Sequence, residues 1–365
     1  VRDMVDRAVE YDMPALALTD HGNMFGAVPF YKACLKRGIK PIIGCELYLT
    51  PGSRHDKDAA QRTRYHLVLL ARDATGYSNL TRLVTLAHTE GFYYKPRVDK
   101  ELLEKYSAGL LATSACLSGE VSRRLLGDDY DGAREAAAFY RDVYGPENYY
   151  LELMDHGIEE QQRVNRGLVS LARELDLGLV ATNDCHFLSH ADHRAHDVLL
   201  CIQTGKTLAD TDRMRFESDQ VYFKSPAEMA ELFGELPEAL ENTVEIARRC
   251  HLDLELNPPG GRLPSYPVPD GETEESFLRR TALEGLEEHG LSERPQYRER
   301  LEEELGIIEQ MKFPGYFLIV WDIVRRAREL GVEVGPGRGS AAGSLVSYSL
   351  GITADIARNT YYREM

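Results

Sequence analysis

Tryptophan is almost missing from this chain, cysteine is sparse, and basic residues are outnumbered. The 365 residues hold one Trp and six Cys. No two cysteines form a C-x-x-C pair, which weighs against zinc-finger and thioredoxin-like signatures. Their irregular spacing fits reduced thiols and a cytoplasmic setting. No apolar run approaches the roughly 18 residues of a membrane span. Val1-Arg2-Asp3-Met4 opens inside an amphipathic pattern, not on a signal peptide. Both ends read as interior sequence, as in a piece of a longer protein. Lys plus Arg number 43 against 59 Asp plus Glu, a net charge of −16. That balance argues against a whole-surface nucleic-acid binder and leaves room for a local basic groove.

What is present is ordinary globular composition, 43% hydrophobic and 28% charged. At about 150 residues per domain the length suggests two domains, or one large barrel with an appendage. Over the first 190 or so positions, short apolar runs alternate with helical patterns. Strands are expected at 15–18, 42–43, 47–49, 66–70, 110–113, 149–153 and 179–182. Helices are expected at 25–35, 79–87, 132–144 and 161–175. Units of this kind predict an α/β fold on a parallel sheet, open or closed into a barrel. Residues 190–255 read as helical, with a turn or hairpin around Phe216-Glu217-Ser218-Asp219. Asn257-Pro258-Pro259-Gly260-Gly261, followed by Pro264, Pro267 and Pro269, marks the clearest boundary. Beyond it, helices are expected at 274–289, 296–310 and 321–330, then a glycine-rich turn at 335–343. Glu302-Glu303-Glu304 reads as a solvated face.

Metal-type donors gather at predicted strand ends. Asp20-His21 follows the first strand, Glu46 the next segment, Cys116 the strand near Leu111, and Asp184-Cys185-His186 the strand near Val180. In parallel α/β folds the ligand site lies at the carboxyl ends of the strands. His66 fits less well, because it opens its apolar run. In an extended segment Asp184 and His186 would face the same side. His55, His88, His251 and His289 are expected to be structural or surface residues, and Cys34, Cys45, Cys201 and Cys250 small core residues. Mixed N, O and S donors suit zinc, manganese or iron, and hydrolysis of a phosphate ester is the natural chemistry.

Four stretches carry a family resemblance. They are Thr19-Asp20-His21-Gly22-Asn23-Met24-Phe25-Gly26, Gly38-Ile39-Lys40-Pro41-Ile42-Ile43-Gly44-Cys45-Glu46, Gly91-Phe92-Tyr93-Tyr94-Lys95-Pro96-Arg97 and Ala181-Thr182-Asn183-Asp184-Cys185-His186. They resemble the PHP (polymerase and histidinol phosphatase) domain of bacterial DNA polymerase III alpha subunits. The resemblance implies a distorted (β/α)7 barrel with a multinuclear metal site holding Zn2+ or Mn2+. By position its ligands would be His21, Glu46, His66, Cys116, Asp184 and His186. The family's His-x-His strand would lie before Val1. Some members use this site as a 3′–5′ exonuclease, and in others it is structural.

Gly335-Pro336-Gly337-Arg338-Gly339-Ser340-Ala341-Ala342-Gly343-Ser344 is neither a Walker A loop nor a dinucleotide fingerprint. With Phe313-Pro314-Gly315-Tyr316-Phe317-Leu318-Ile319-Val320-Trp321-Asp322 it is similar to the start of the same subunit's palm, an α+β fold of the β-type nucleotidyltransferase kind. There Arg338, Gly339 and Ser340 would contact nucleotide phosphates. The palm aspartates that bind Mg2+ would lie beyond residue 365, so this chain alone is not expected to polymerise. The domains implied are 1–256 (PHP), 257–272 (linker) and 273–365 (truncated palm). The partners implied are primer–template DNA, dNTPs, a sliding clamp, a clamp loader and a proofreading subunit, with no membrane. Ala354-Asp355-Ile356-Ala357-Arg358-Asn359 departs from the family and is given no function. Arg325, Arg326, Arg328 and Arg338 are the expected basic patch, while Arg123, Arg124, Arg248 and Arg249 read as solvated. A stand-alone metallophosphoesterase and a non-catalytic scaffold for a proofreading subunit are the competing readings.

Overall fold

A computed structural model describes residues 1–58, 63–216, 218–256 and 264–354. Much of the expected linker, Glu217 and the divergent tail from Asp355 on therefore lie outside the described residues. Two compact units divide the chain, Val1–Leu254 and Glu255–Met365.

Among the described residues unit 1 is built on seven strands: β1 (Ala15–Leu18), β2 (Lys40–Leu49), β3 (Tyr65–Ala71), β4 (Arg97–Val98), β5 (Leu110–Thr113), β6 (Tyr149–Leu153) and β7 (Gly178–Ala181). Their order is β1-β2-β3-β5-β6-β7, with β4 added to β2. The helices between them include α1 (Arg2–Glu10), α2 (Ala27–Arg37), α3 (Ala74–Thr89), α4 (Lys100–Lys105), α5 (Glu120–Leu126), α6 (Tyr130–Tyr144) and α7 (Glu159–Leu175). The α/β architecture is the expected one. The wholly parallel sheet is not, because β3 runs antiparallel to both β2 and β5.

That reversal corrects the apparent misfit of His66. Antiparallel register sets Tyr48 opposite His66 and Glu46 opposite Val68. The first residues of β3 thus lie beside the last residues of β2. A residue that opens its strand in sequence stands at the mouth where its neighbours end.

One face of the sheet changes character along its length. At one end Ile42, Leu70, Leu111, Tyr150 and Val180 pack on Ile246 and Cys250. Those two belong to or follow α10 (Pro237–Arg249), so that helix closes the apolar end. Toward the other end, at even offsets of two to six residues from these, the same face presents Glu46, Tyr48, His66, Thr113, Glu152 and Thr182, because side chains repeat every second position. The opposite face carries the large core, with Leu47, Leu49, Leu67, Leu69, Leu151 and Leu153 packed on Leu80, Leu83 and Leu168.

Residues 190–255 are helical only in part, as α8 (His193–Thr204), α9 (Pro226–Phe233) and α10. Residues 205–225 hold no hairpin among the described residues. Tyr222 pairs with Phe187 in an isolated parallel bridge beyond the end of β7. Arg249 is not a solvated residue either, since it donates to Asn148 Oδ1 at 2.5 Å and to Tyr150 Oη at 3.1 Å.

Unit 2 comprises α11 (Glu274–Glu288), α12 (Pro295–Gln310), α13 (Pro314–Glu329) and the short α14 (Leu345–Ser349). Leu278, Ala282, Leu286, Leu301, Leu305, Leu318 and Leu345 form its core. The acidic run on α12 is more than a wet face. Glu304 accepts from Ser344 Oγ (2.9 Å) and from the backbone N–H groups of Leu345 (3.1 Å) and Val346 (3.0 Å). A carboxylate there satisfies donors that the start of α14 leaves open. Two of the four expected basic-patch residues, Arg325 and Arg326, are paired on their own helix. Arg325 pairs with Asp322 at 2.6 Å and Glu329 at 2.9 Å, and Arg326 pairs with Glu329 at 3.0 Å.

Candidate metal centre

At the polar mouth of the sheet, His21, Glu46 and His66 each offer one ligand atom, all within 4.8 Å of one another. His66 Nδ1 lies 2.5 Å from Glu46 Oε1, and His21 Nδ1 lies 3.5 Å from Glu46 Oε2. Cys116 Sγ is 3.5 Å from His66 Nδ1. Asp184 Oδ1 and His186 Nε2 are 3.3 Å apart. The His186 ring lies 6.2 Å from the His21 ring, centroid to centroid. His21, Glu46 and His66 thus form the close cluster, Cys116 adjoins it through His66, and the Asp184–His186 pair stands beside His21.

The backbone explains each placement. Gly22 N–H donates to the Glu46 carbonyl at 2.9 Å, and Glu46 N–H donates to the Asp20 carbonyl at 3.1 Å. That bridge sets His21 beside Glu46. Cys116 follows Ala115, which is left-handed with φ 58°. Asp184 corrects an expectation. Strand β7 ends at Ala181, and Asp184 has φ 41°, so the segment is a turn and not an extended run. Asp184 and His186 still meet, but by local coiling and not by two-residue alternation.

The donor set fits a cation. Glu46 is 6% exposed, and its Oε1 is buried without a hydrogen bond although His66 Nδ1 is 2.5 Å away. Such a buried oxygen is costly unless something satisfies it, and ligand atoms facing one another without hydrogen-bond geometry are what a shared cation would leave. Burial, then the nearby Glu46 charge, pushes the Cys116 thiol well up, so its thiolate form needs a compensating positive charge. Burial also pushes Asp184 up, but the His186 hydrogen bond and charge, with His21 beyond, outweigh it and hold the carboxyl below its ordinary range. His186 shows the mirror image, lowered by burial and raised further by Asp184.

Two family models match separate parts of the chain. A model described as the PHP domain matches residues 1–156. A model described as the bacterial DNA polymerase III alpha NTPase domain matches residues 276–357. DNA polymerase III subunit alpha of Borreliella burgdorferi is 44% identical over 356 residues, 97% of this chain and 31% of the relative. The chain belongs to the DNA polymerase III alpha family. The Treponema pallidum subunit is 45% identical over 353 residues, 96% of this chain and 30% of its own. That of Mycobacterium tuberculosis is 45% identical over 371 residues, 97% of this chain and 31% of its own. The chain thus spans about a third of the length of the alpha subunits it matches.

Several residues of this alpha-family site escaped the sequence reading. Tyr48 packs beside both the His21 and His66 rings, at 6.0 and 5.4 Å. His156, buried, meets the Asn183 carbonyl through Nε2 at 3.0 Å and so braces the Asp184 turn. Glu152 is a lone carboxylate in the otherwise apolar strand Tyr149-Tyr150-Leu151-Glu152-Leu153, and that isolation was the available signal. It accepts from Thr182 Oγ1 at 2.5 Å and from Thr113 Oγ1, joining β5, β6 and the end of β7.

Burial raises the Glu152 carboxyl to about 7, despite the two threonine hydroxyls that favour its charged form. The folded state then holds a proton that the unfolded chain releases from its ordinary 4.5 upward. Stability from this group is therefore lost as pH rises from about 4.5 to 7, and is flat above. The span corresponds to about 3 kcal/mol. Chelator-treated protein should lose denaturant resistance over that window, and Glu152→Gln should flatten the curve. Parallel curves for the two proteins would refute the assignment.

On unit 2, Arg338, Gly339 and Ser340 are exposed, and Gly337 and Gly339 have φ 115° and 58°. Only glycine adopts such angles freely.

Proposed function

We propose that this chain is the amino-terminal part of a bacterial replicative polymerase subunit whose PHP unit hydrolyses phosphodiesters, as a 3′–5′ exonuclease. The observation that supports the reading best is the cluster of His21, Glu46 and His66, with Cys116 beside His66 and the Asp184–His186 pair beside His21. These residues would hold Zn2+ or Mn2+, a choice their mixed donors favour. What such an ion supplies when bound is an acidified water and positive charge for a phosphoryl oxygen. The chain's own groups do the rest. Asp184 fixes the His186 ring, Tyr48 packs against His21 and His66, and Glu152 ties the strands that present Cys116 and the Asp184 turn.

We assign residues 1–256 to the PHP unit, 257–272 to a linker and 273–365 to the start of a palm. In the whole subunit that palm would use Mg2+ to add dNTPs to primer–template DNA, with Arg338, Gly339 and Ser340 on the triphosphate. A clamp, a clamp loader and a proofreading subunit are the partners this reading implies, in the cytoplasm. Among the described residues no helix is long and apolar enough to cross a membrane. A free-standing phosphoesterase is disfavoured, because the polymerase model matches residues 276–357.

The test is hydrolysis of 5′-labelled single-stranded DNA and of bis(p-nitrophenyl) phosphate, with zinc or manganese added. Shortening from the 3′ end that a chelator abolishes is the expected result. Protein that carries metal yet cleaves neither substrate would overturn the exonuclease reading in favour of a structural centre.

A further inference from the structure

The rim of the metal centre carries exposed aromatic rings. Phe25 is 86% exposed, Tyr94 62% and Phe92 50%. Burying such rings on folding is favourable, so rings held in water beside a site invite a ligand. Two chains of contact tie Phe92 and Lys95 to the candidate ligands. Phe92 stacks on His88 at 6.2 Å, and His88 Nε2 meets the Gly22 carbonyl at 2.9 Å, next to His21. Lys95 Nζ, on an exposed residue, lies 5.5 Å from the Tyr48 ring, which touches both His21 and His66.

The rim is held in shape. Tyr93 N–H donates to the Lys95 carbonyl at 3.1 Å, closing a tight turn with Tyr94 at its apex. Tyr94 has φ 59°, a left-handed conformation that residues with a β-carbon adopt at a cost. Tyr93 and Tyr94 pack edge to face at 4.7 Å. On the other side, Asn23 Nδ2 donates to the His21 carbonyl at 3.0 Å and Asn23 Oδ1 accepts from Phe25 N–H at 3.1 Å. That side-chain turn fixes the loop that displays Phe25.

We propose that Phe25, Phe92 and Tyr94 form a stacking rim for the unpaired bases at the end of a single DNA strand, with Lys95 on its phosphates. The inference rests on the phosphodiesterase reading and extends it to the form of the substrate. Planar faces suit bases of any sequence. Bases inside a duplex are already stacked on one another, so the rim selects a frayed or single-stranded end. An apolar peptide is the weaker occupant, because the exposed groups are rings around a phosphate-directed centre with a lysine beside them.

The test uses this 365-residue chain in chelator, so that binding is read apart from hydrolysis. A short oligothymidine carrying 5-iododeoxyuridine at its 3′ end is irradiated with the protein and the cross-linked peptide is mapped. Cross-links on Phe25 or on residues 91–97 are expected. Phe92→Ala combined with Tyr94→Gly should weaken binding by about tenfold or more, with zinc uptake and melting temperature kept. Glycine suits the left-handed position, so a loss there is not a folding defect. Wild-type affinity in the double variant, or cross-links confined to other segments, would overturn the rim. A wild-type chain that binds through the rim but hydrolyses nothing when metal is restored would instead remove the phosphodiesterase reading.

Discussion

Glu46→Gln should strip the centre of most of its metal affinity while leaving the sheet folded. Glu46 is the residue on which the cluster turns. One carboxylate oxygen faces His66 at 2.5 Å and the other faces His21 at 3.5 Å. Glutamine keeps the volume and loses the charge, and its amide nitrogen brings hydrogens where the buried oxygen has no donor of its own. Altering residues that merely support metal ligands costs ten- to a hundredfold in affinity, so loss of a ligand at the centre should exceed about a hundredfold. Zinc titration with a chelating dye measures this, and diester hydrolysis should fall in step. Unchanged zinc stoichiometry and affinity in a folded variant would mean that Glu46 is a structural carboxylate between two histidines.

Most strands and the longer helices of unit 1 were legible because apolar runs and helical periodicity report burial directly, while the short β4, α4 and α5 were not. Nor was strand direction. Nothing in His66-Leu67-Val68-Leu69-Leu70 says that β3 runs against its neighbours, and only that reversal places His66 at the mouth. Gly44 looked like a break between two short strands. It is a close approach instead, since a β-carbon there would lie 2.6 Å from the Leu69 carbonyl oxygen, and β2 runs through it unbroken. The candidate donors were nameable from residue type and from family resemblance, and His21, Glu46 and His66 stand together in the structure. Their supports were not nameable, because Glu152, His156 and Tyr48 act through neighbours far away in sequence. Glu304 shows the same limit in unit 2. A run of glutamates looks solvated until tertiary packing brings the start of α14 against one of them.

Gly119→Ala should damage both stability and metal binding, because this glycine lies where the fold and the site share backbone. A β-carbon on Gly119 would sit 2.0 Å from the Ser114 carbonyl oxygen and 3.2 Å from that of Cys116. Gly119 N–H donates to that same Cys116 carbonyl at 2.9 Å, and the neighbouring Ser118 carbonyl accepts from His66 N–H at 3.0 Å. The clash is with backbone, which cannot rotate away as a side chain can. Relief must move either the turn that carries Cys116 or the start of β3 that carries His66. Overpacking of this kind costs about 1–3 kcal/mol, and here the displacement is delivered to two ligands at once. The control lies at the other end of α5, where a β-carbon on Gly127 would meet the Arg123 and Arg124 carbonyl oxygens at an ordinary 3.5 Å. Gly127→Ala should stay within about 0.5 kcal/mol of the parent and keep its zinc affinity. The same substitution at the two ends of one short helix thus separates loss of glycine as such from pressure on the site. Equal melting temperatures and equal zinc affinities for the two variants would break the link between the Gly119 contact and the geometry of the centre.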